Sequence, residues 1–278
     1  MSVSSVIESR AADAARLAEK LEFEFTFSRF LSPAEQNVFY RTVAHSPVCR
    51  RLFFFGGCAG ADRRRAVFIP SYIEADAESS PAEIFNPKRE AFLISALNDF
   101  APEETLGISP VHVSGSSFAS LSHRDYMGSV LGLGIDRAVV GDIAVLDEHS
   151  AVIFADENIA MFIAENLTKV ARDTVKCRIS PVERDFVIPR SFTTLHLAAG
   201  SARIDSIAAS LGNLSRSEAK ELCAAGSIEK NYVSPIEPDD AVSIGDVISV
   251  RGSGKFVIDS FDGETRSGRL KFTARRYT

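Results

Sequence analysis

The sequence has little of what metal sites and disulfide frameworks need. Its four cysteines, Cys49, Cys58, Cys177 and Cys223, lie far apart and form no C-x-x-C pair. This spacing argues against a zinc site and a disulfide framework, and it favours free, buried thiols. The five histidines show neither the H-x-x-x-H nor the H-E-x-x-H pattern, which removes the commonest metal sites. We therefore expect no metal and no cofactor.

Long hydrophobic runs are also missing. No apolar segment approaches the roughly 18 residues that a membrane span requires. Acidic residues are scattered through the N-terminal stretch SVIESRAADAARLAEKLEF, which is typical of an amphipathic helix and not of a signal peptide. With 278 residues, 45% of them hydrophobic and 24% charged, the chain is long enough for two or three packed domains. We expect a cytoplasmic protein without a membrane partner.

Positive charge is not in excess over the whole chain. The net charge of −6 argues against a protein that coats nucleic acid by bulk charge. From Arg190 to Thr278, however, 12 basic residues accompany 11 acidic ones, and the final stretch TRSGRLKFTARRYT has no acidic residue. This stretch predicts a basic tail on an acidic protein, with Arg266 and Arg269 as candidate RNA contacts.

Hydrophobic patterning divides the chain into three predicted domains, which together give a multidomain α+β fold. Residues 1–80 have the pattern of a mixed α/β domain, whose second helix opens with a capping box at Ser32 and Glu35. An acidic connector, EADAESSPAEIFNPKRE, leads into residues 81–180. These contain a helix, then strand, helix, two strands, helix and strand, the ferredoxin-like order of RNA-recognition modules, with a half-open sheet. Aromatic-rich RNP signatures are missing from it. After a second connector, SPVERDFVIPRS, residues 185–278 form the last domain.

The segment LSRSEAKELCAAGSIEKN in the last domain predicts a short, well-delimited helix. Ser215 followed by Glu218 forms a capping box, and Gly226 stands where a helix C-terminus favours a residue without a side chain. We therefore predict a helix from about Arg216 to Ala225. Ser215 and Gly226 are assigned structural roles.

The charges of this predicted helix are separated. Arg216 and Lys220 fall on one flank of the helical wheel, and neither has an acidic residue three or four positions away. Intrahelical ion pairs are therefore not expected, although a solvated face is the alternative interpretation. The flank is predicted to form a basic edge that is free to bind phosphate.

Four pieces of the last domain resemble the S4-type RNA-binding domain. They are RID at 203–205, LSRSEAKEL, a glycine followed by an Asn-terminated strand at 226–231, and GDVISVRGSGKF at 245–256. In that fold, two short helices and a twisted hairpin present one basic surface to structured RNA. The resemblance implies a structural role for Asp205. It also implies RNA contacts by five basic residues, Arg203, Arg216, Lys220, Arg251 and Lys255.

Other segments resemble the YlmH family of bacterial S4-type proteins. They are FLSPAEQ at 30–36, GGCAGADRRRAVFIP at 56–70 and LSHRDYMGSVLGLGIDRAVVGDI at 121–143. The resemblance implies a monomeric, non-enzymatic RNA-binding factor that associates with rRNA and peptidyl-tRNA on the large ribosomal subunit. It further implies a role in the quality control of stalled nascent chains. Members have also been linked to cell division.

The motif around His123, Arg124 and Asp125 has both a structural and a functional interpretation. HRDY is similar to the catalytic loop of protein kinases but lacks the asparagine that this loop requires. The structural interpretation is a helix start, in which Ser122 is the cap and Asp125 the acid three residues on. The functional alternative is a contact with rRNA or with another domain, for which Arg137 is a further candidate.

Three consecutive arginines, Arg63, Arg64 and Arg65, also have two interpretations. They form either a phosphate clamp or a solvated face, and alternate members of a strand point to opposite sides. P-loop and dinucleotide-binding patterns fail at the residues that these sites require.

Three functions remain open from the sequence. The first is a non-enzymatic, ribosome-bound RNA-binding factor. The second is an RNA-modifying enzyme that uses the S4-type domain for docking, although no catalytic signature of such enzymes occurs in the chain. The third is a protein adaptor linked to cell division, for which the basic residues would be incidental.

Overall fold

The chain divides into two compact units, Met1–Pro189 and Arg190–Thr278. The computed structural model describes residues 3–21, 25–71, 95, 106–116, 120–183 and 185–277. The first predicted connector, and all but one residue of the helix predicted in REAFLISALNDF, lie outside these ranges. No helix in the described ranges is both long and apolar enough to span a membrane. The chain has a mixed α/β architecture with several sheets, while the boundary near residue 80 stays a prediction.

The N-terminal part of the first unit is a helical pair beside a small sheet. Its elements are α1 (Val3–Lys20), β1 (Phe25–Thr26), α2 (Pro33–Val43), β2 (Leu52–Phe55) and β3 (Arg65–Phe68). The strands are antiparallel in the order β1-β3-β2. The predicted capping box is confirmed, because the Glu35 N–H donates to Ser32 Oγ and the Ser32 N–H donates to Glu35 Oε2. Phe39 and Phe68 lie in the core between helices and sheet.

The second part of the first unit is a five-stranded antiparallel sheet with two helices. Its elements are β4 (Ile108–Gly115), α3 (His123–Leu131), β5 (Val140–Val145), β6 (Ser150–Asp156), α4 (Glu157–Asn166), β7 (Lys169–Val170) and β8 (Asp173–Ile179). The strand order is β5-β6-β4-β8-β7. Helix α4 is shorter than the pattern ENIAMFIAENLTKVARD predicts. At its last residue, Asn166 Nδ2 donates to Phe162 O at 2.8 Å. Lys169 and Val170 form strand β7 and do not continue the helix.

One face of this sheet is covered, whereas the opposite face is exposed along β8 at Thr174, Lys176 and Arg178, which fits the predicted half-open sheet. Helices α3 and α4 pack on one face. On the other face, Val152 and Phe154 of β6 pack against Phe30 and Cys58 from the N-terminal part and against Phe186 from the second predicted connector. Burial of these apolar side chains supplies the free energy that holds the two parts of the unit together.

The three consecutive arginines lie inside the first unit, which contradicts both of their predicted roles. Arg65 is 3% exposed and forms an ion pair with Asp156 of β6. Arg64 is also buried, and the half-buried Arg63 donates to the backbone oxygen of Phe30 at 2.8 Å. A buried guanidinium is tolerated because such partners replace its hydration. The three side chains therefore connect segments of the fold.

The second unit is a five-stranded antiparallel sheet with a helical pair on one face. Its elements are β9 (Phe192–Ala199), α5 (Ile204–Gly212), α6 (Arg216–Ala224), β10 (Ile228–Lys230), β11 (Val247–Val250), β12 (Gly254–Glu264) and β13 (Leu270–Tyr277). The strand order is β10-β11-β12-β13-β9. Apolar residues of α5 and α6 pack on the sheet, as their helical spacing predicts. The capping box of Ser215 and Glu218 is confirmed, and Gly226 follows α6 with a φ of +67°.

The predicted basic tail is strand β13, which lies between β12 and β9. The side chains of Phe272 and Ala274 point into the core. Hydrophilic residues alternate with them along the strand, so a prediction based on charge alone missed the strand. Strand β9, FTTLHLAA, is not predicted by the sequence pattern. It pairs with β13 along its whole length, from Phe192 opposite Tyr277 to Ala199 opposite Leu270.

Candidate nucleic-acid interface

A buried carboxylate organises the start of both helices in the second unit. Asp205 lies in the first turn of α5 and is fully buried. Its Oδ2 accepts a hydrogen bond from Arg216 Nε at 3.0 Å, and its Oδ1 accepts from Arg203 Nε at 3.4 Å. The side chains of Arg203 and Arg216 are 42% and 53% exposed, so both guanidiniums remain accessible at the surface. One buried anion thus positions two surface cations.

The charge balance at Asp205 favours its ionised form. Burial acts to raise the pKa of Asp205, but the hydrogen bond and positive charge of Arg216, together with Arg203, outweigh burial and hold this pKa below its ordinary value. The cluster carries two positive charges against one negative charge. Its net charge therefore suits a phosphate.

The structure corrects the prediction of a free basic edge on α6. Arg216 makes no intrahelical ion pair, as predicted, but it is bound to Asp205 of the neighbouring helix. Helical spacing within one segment could not identify a partner that lies on another helix. Lys220, one turn further along α6, is exposed. The edge therefore consists of one anchored cation and one surface cation.

Helix α6 leads from this cluster to the turn between β11 and β12. The Arg251 N–H in that turn donates to Ser227 O, just after the end of α6, at 3.0 Å. The side chain of Arg251 is exposed. Arg216 begins α6, Lys220 lies one turn further along it, and Arg251 lies in the turn that is bonded to Ser227 beyond its end; we call these three residues the α6 track.

Lys255 lies near the start of β12 in an aromatic environment that the sequence did not reveal. Its Nζ is 4.7 Å from the ring centroid of Tyr232 and 4.6 Å from that of Tyr277. A cation this close to two rings is attracted by both. The signal for this arrangement was the strand register, because Phe256 pairs with Arg276 and therefore brings Lys255 next to Tyr277.

A second group of cations lies at the other end of β12, whose 11 residues span about 33 Å. Arg266 is exposed in the turn between β12 and β13, and Arg269 donates from Nη2 to Ala198 O. Arg269 also lines a groove of about 1040 Å³ together with Arg216. Arg251 and Lys255 thus lie near one end of β12 and Arg266 and Arg269 near the other, and the groove lies between Arg269 and Arg216.

The motif around His123 lies in the first unit and is built as the helix start that its sequence predicts. The Ser122 N–H donates to Asp125 Oδ2 at 2.9 Å, which completes the capping box of α3. His123 and Arg124 are exposed. Arg137 is half-buried and donates to the oxygens of Val140 and Gly141, and burial lowers its pKa to about 10. Arg137 therefore has a structural role here.

The described residues include no group of three histidine, cysteine or acidic side chains that could hold a metal ion. The four cysteines are free thiols, of which Cys49, Cys58 and Cys223 are buried, as predicted. Burial raises the pKa of the Cys177 thiol to about 11.

Comparison with known proteins places these features in a wider context. Residues 103–184 match a family model described as a putative RNA-binding domain in YlmH. The chain is 25% identical over 256 residues to the ribosome-associated protein quality control protein P2 of Bacillus subtilis, and the match covers 92% of this chain and 88% of the relative. The cell division protein ylmH of Streptococcus pneumoniae is a similar solved structure, with 18% identity and a TM-score of 0.43. That match covers 65% of this chain and 93% of the solved one.

Proposed function

We propose that this protein is an RNA-binding factor that acts on the ribosome, because residues 103–184 match a putative RNA-binding domain and a ribosome-associated relative is 25% identical over 92% of the chain. We further propose that it associates with rRNA and peptidyl-tRNA on the large subunit and takes part in the quality control of stalled nascent chains. The name of the Bacillus subtilis relative supports this proposal. The observation that carries it is the anchored pair of cations, Arg203 and Arg216, on the buried Asp205.

The anchored pair suits RNA for a physical reason. Flexible cations lose side-chain entropy when they bind a phosphate, whereas Arg216 is already held by its hydrogen bonds to Asp205. Those bonds use Nε–H and one N–H of Nη2, and the guanidinium has further donors for a phosphate oxygen. Lys220 and Arg251 extend the positive charge along α6, so that contacts with successive phosphates combine.

The domain types belong to the same proposal. The order β5-β6-β4-β8 with α3 and α4 on one face supports a ferredoxin-like middle domain. The helical pair and the β11–β12 turn support an S4-type last domain. Because the β5–β6 part of the sheet face opposite α3 and α4 is covered, we propose that the middle domain does not bind RNA through that part of the face.

We propose that the protein acts by occupying its RNA site and not by catalysis. Incubation of the protein with RNA and methyl or other group donors, followed by mass spectrometry of the RNA, tests it. A protein-dependent modification would establish an RNA-modifying enzyme instead.

Co-sedimentation with purified large ribosomal subunits at several salt concentrations tests RNA binding. The variant Lys220→Ala/Arg251→Ala removes two surface cations and leaves Arg216 in place, so that Asp205 keeps its partner. We expect weaker association by several-fold per residue, and a salt dependence whose log–log slope is smaller by about 1.5 to 2.

The matched control is Arg10→Ala/Lys20→Ala, which removes two exposed cations from α1 of the first unit. It changes net charge by the same amount and should leave the slope unchanged. An unaltered slope in the α6-track variant, with full thermal stability, would contradict the proposed surface. Association that persists after nuclease digestion of the subunits would point to a protein adaptor.

A further inference from the structure

The groove beside Arg216 combines an apolar floor with a cationic rim. Its volume is about 1040 Å³, at the upper end of the roughly 300–1,000 Å³ typical of small-molecule sites. The accessible floor is formed by Leu197 of β9 and Ala209 of α5, above the buried Phe272 of β13. Three cations line the same groove, namely Arg216, Arg269 and Lys271. Phosphate alone would leave the floor without a partner.

Two of these cations are held in position by the fold. Arg216 is bound to Asp205 through Nε and Nη2. Arg269 is bound through Nη2 to Ala198 O of β9. The two guanidiniums come from separate elements, α6 and the β12–β13 turn, and both line the groove. An anionic ligand in the groove can therefore meet cations whose positions are already fixed.

The polar side chains that the strands contribute to the groove lie on the other face of the sheet. Neighbouring residues of a strand point to opposite faces, so His196 and Thr273 lie opposite to Leu197. The Thr273 hydroxyl donates to Asp262 Oδ2 at 2.7 Å and therefore accepts from His196 Nδ1–H at 3.1 Å. Hydrogen bonds from Ser260 and Thr273 hold the pKa of Asp262 below its ordinary value. The apolar part of a ligand therefore contacts Leu197 and Ala209, on the helix side of the sheet.

We propose that this groove binds one unpaired nucleotide of the RNA, with the base on the apolar floor and its phosphate at Arg216 and Arg269. The inference rests on the proposed RNA-binding function and specifies which feature of the RNA is recognised. A continuous duplex offers phosphates but keeps its base faces stacked, whereas an unpaired nucleotide offers both a phosphate and an apolar base face. Because the adenine base has a larger apolar face to bury than uracil, adenosine should bind better than uridine.

The test measures binding of the full chain to three fluorescent RNA hairpins that differ at one position. One stem is fully paired, the second has a single bulged adenosine, and the third has a single bulged uridine. We expect the bulged-adenosine hairpin to bind about tenfold or more tightly than the paired one, in line with the gain of one stacked base. The bulged uridine should lie between the two.

The variant Ala209→Met fills the floor of the groove without changing charge. It should lower the affinity for the bulged adenosine to that for the paired stem, and it should leave binding of the paired stem unchanged. Unchanged binding of the paired stem also shows that the variant is folded. The matched control is Ala12→Met, which alters an alanine of intermediate exposure in α1 of the first unit and should have no effect.

Equal affinity for bulged and paired hairpins, or equal weakening of both by Ala209→Met, would overturn the groove assignment while RNA binding itself stands. Failure of all three hairpins to bind would instead refute the proposed function, and the groove assignment with it. Adenosine 5′-monophosphate is tested as a competitor. If it binds the groove as tightly as the bulged hairpin does, the ligand is a free nucleotide and the RNA assignment is wrong.

Discussion

Replacing Asp205 by asparagine removes the buried charge that anchors Arg203 and Arg216 while it keeps the shape of the side chain. Hydrogen bonds to a charged group contribute about 1.5–3 kcal/mol each to stability. Both arginine side chains are about half exposed and regain hydration when the carboxylate is lost, which reduces the cost. We therefore expect Asp205→Asn to lower the free energy of unfolding by about 2 kcal/mol. For a unit of this size, the melting temperature should fall by about 10 °C.

The effect should depend on pH in a defined direction. The folded state holds the pKa of Asp205 below its ordinary value, so the unfolded state binds the proton first as the solution is acidified. The contribution of Asp205 is therefore fully present above its unfolded pKa of about 3.9, and it is lost as the pH falls through the folded pKa. The difference in stability between the original protein and Asp205→Asn should be largest near pH 7 and smaller at pH 3.

Calorimetric unfolding at both pH values measures this difference, with Asp239→Asn as the matched control, because Asp239 is an exposed aspartate of the same unit. A variant as stable as the original protein at pH 7 would refute the reasoning, and so would equal destabilisation at both pH values. Association with the large subunit should fall in parallel, because Arg216 is no longer anchored. Loss of association at full stability would assign Asp205 a direct RNA contact.

Three further predictions concern the caps, the thiols and the two units. Ser215→Ala removes the cap of α6 and should lower the free energy of unfolding, measured by urea titration, by about 1 kcal/mol. Ser215→Asp keeps a capping oxygen and should retain most of the original stability. Cys177 should react slowly with iodoacetamide at pH 8 in the folded protein and quickly in urea, since its folded pKa is about 11; equal rates would contradict its burial. A fragment of residues 190–278 should fold around its own core but pellet more weakly with large subunits than the full chain, because contacts on two units combine. Equal pelleting would show that the second unit binds alone.

The sequence allowed local features to be predicted more reliably than distant contacts. The capping boxes of α2, α3 and α6 and the helical stripe of α5 depend on residues within one or two turns, and all are present. The partner of Arg216 lies 11 residues away on another helix, so no pattern within α6 could identify it. The cation near Tyr232 and Tyr277 likewise depends on strand register.

Local charge was the least reliable predictor of whether a residue lies at the surface or in the interior. Arg64 and Arg65 are buried in the first unit, where Asp156 and backbone oxygens replace water. Strand β13 was predicted as a tail because its basic residues concealed the inward alternation of Phe272 and Ala274. In both cases the long-range partner, and not the local composition, decides whether a cation is at the surface.

The covered part of the middle sheet, over β5 and β6, has a consequence for synthesis of the protein. During translation, Arg65 leaves the ribosome 91 residues before its partner Asp156. Phe30 likewise leaves before Phe154 and Phe186, which belong to the same hydrophobic cluster. At about 5–20 residues per second, translation leaves the N-terminal part without these partners for several seconds or more. Contacts this distant in sequence form slowly. We therefore expect the first unit to close only after residue 186 has left the ribosome, and until then its apolar side chains are available to chaperones.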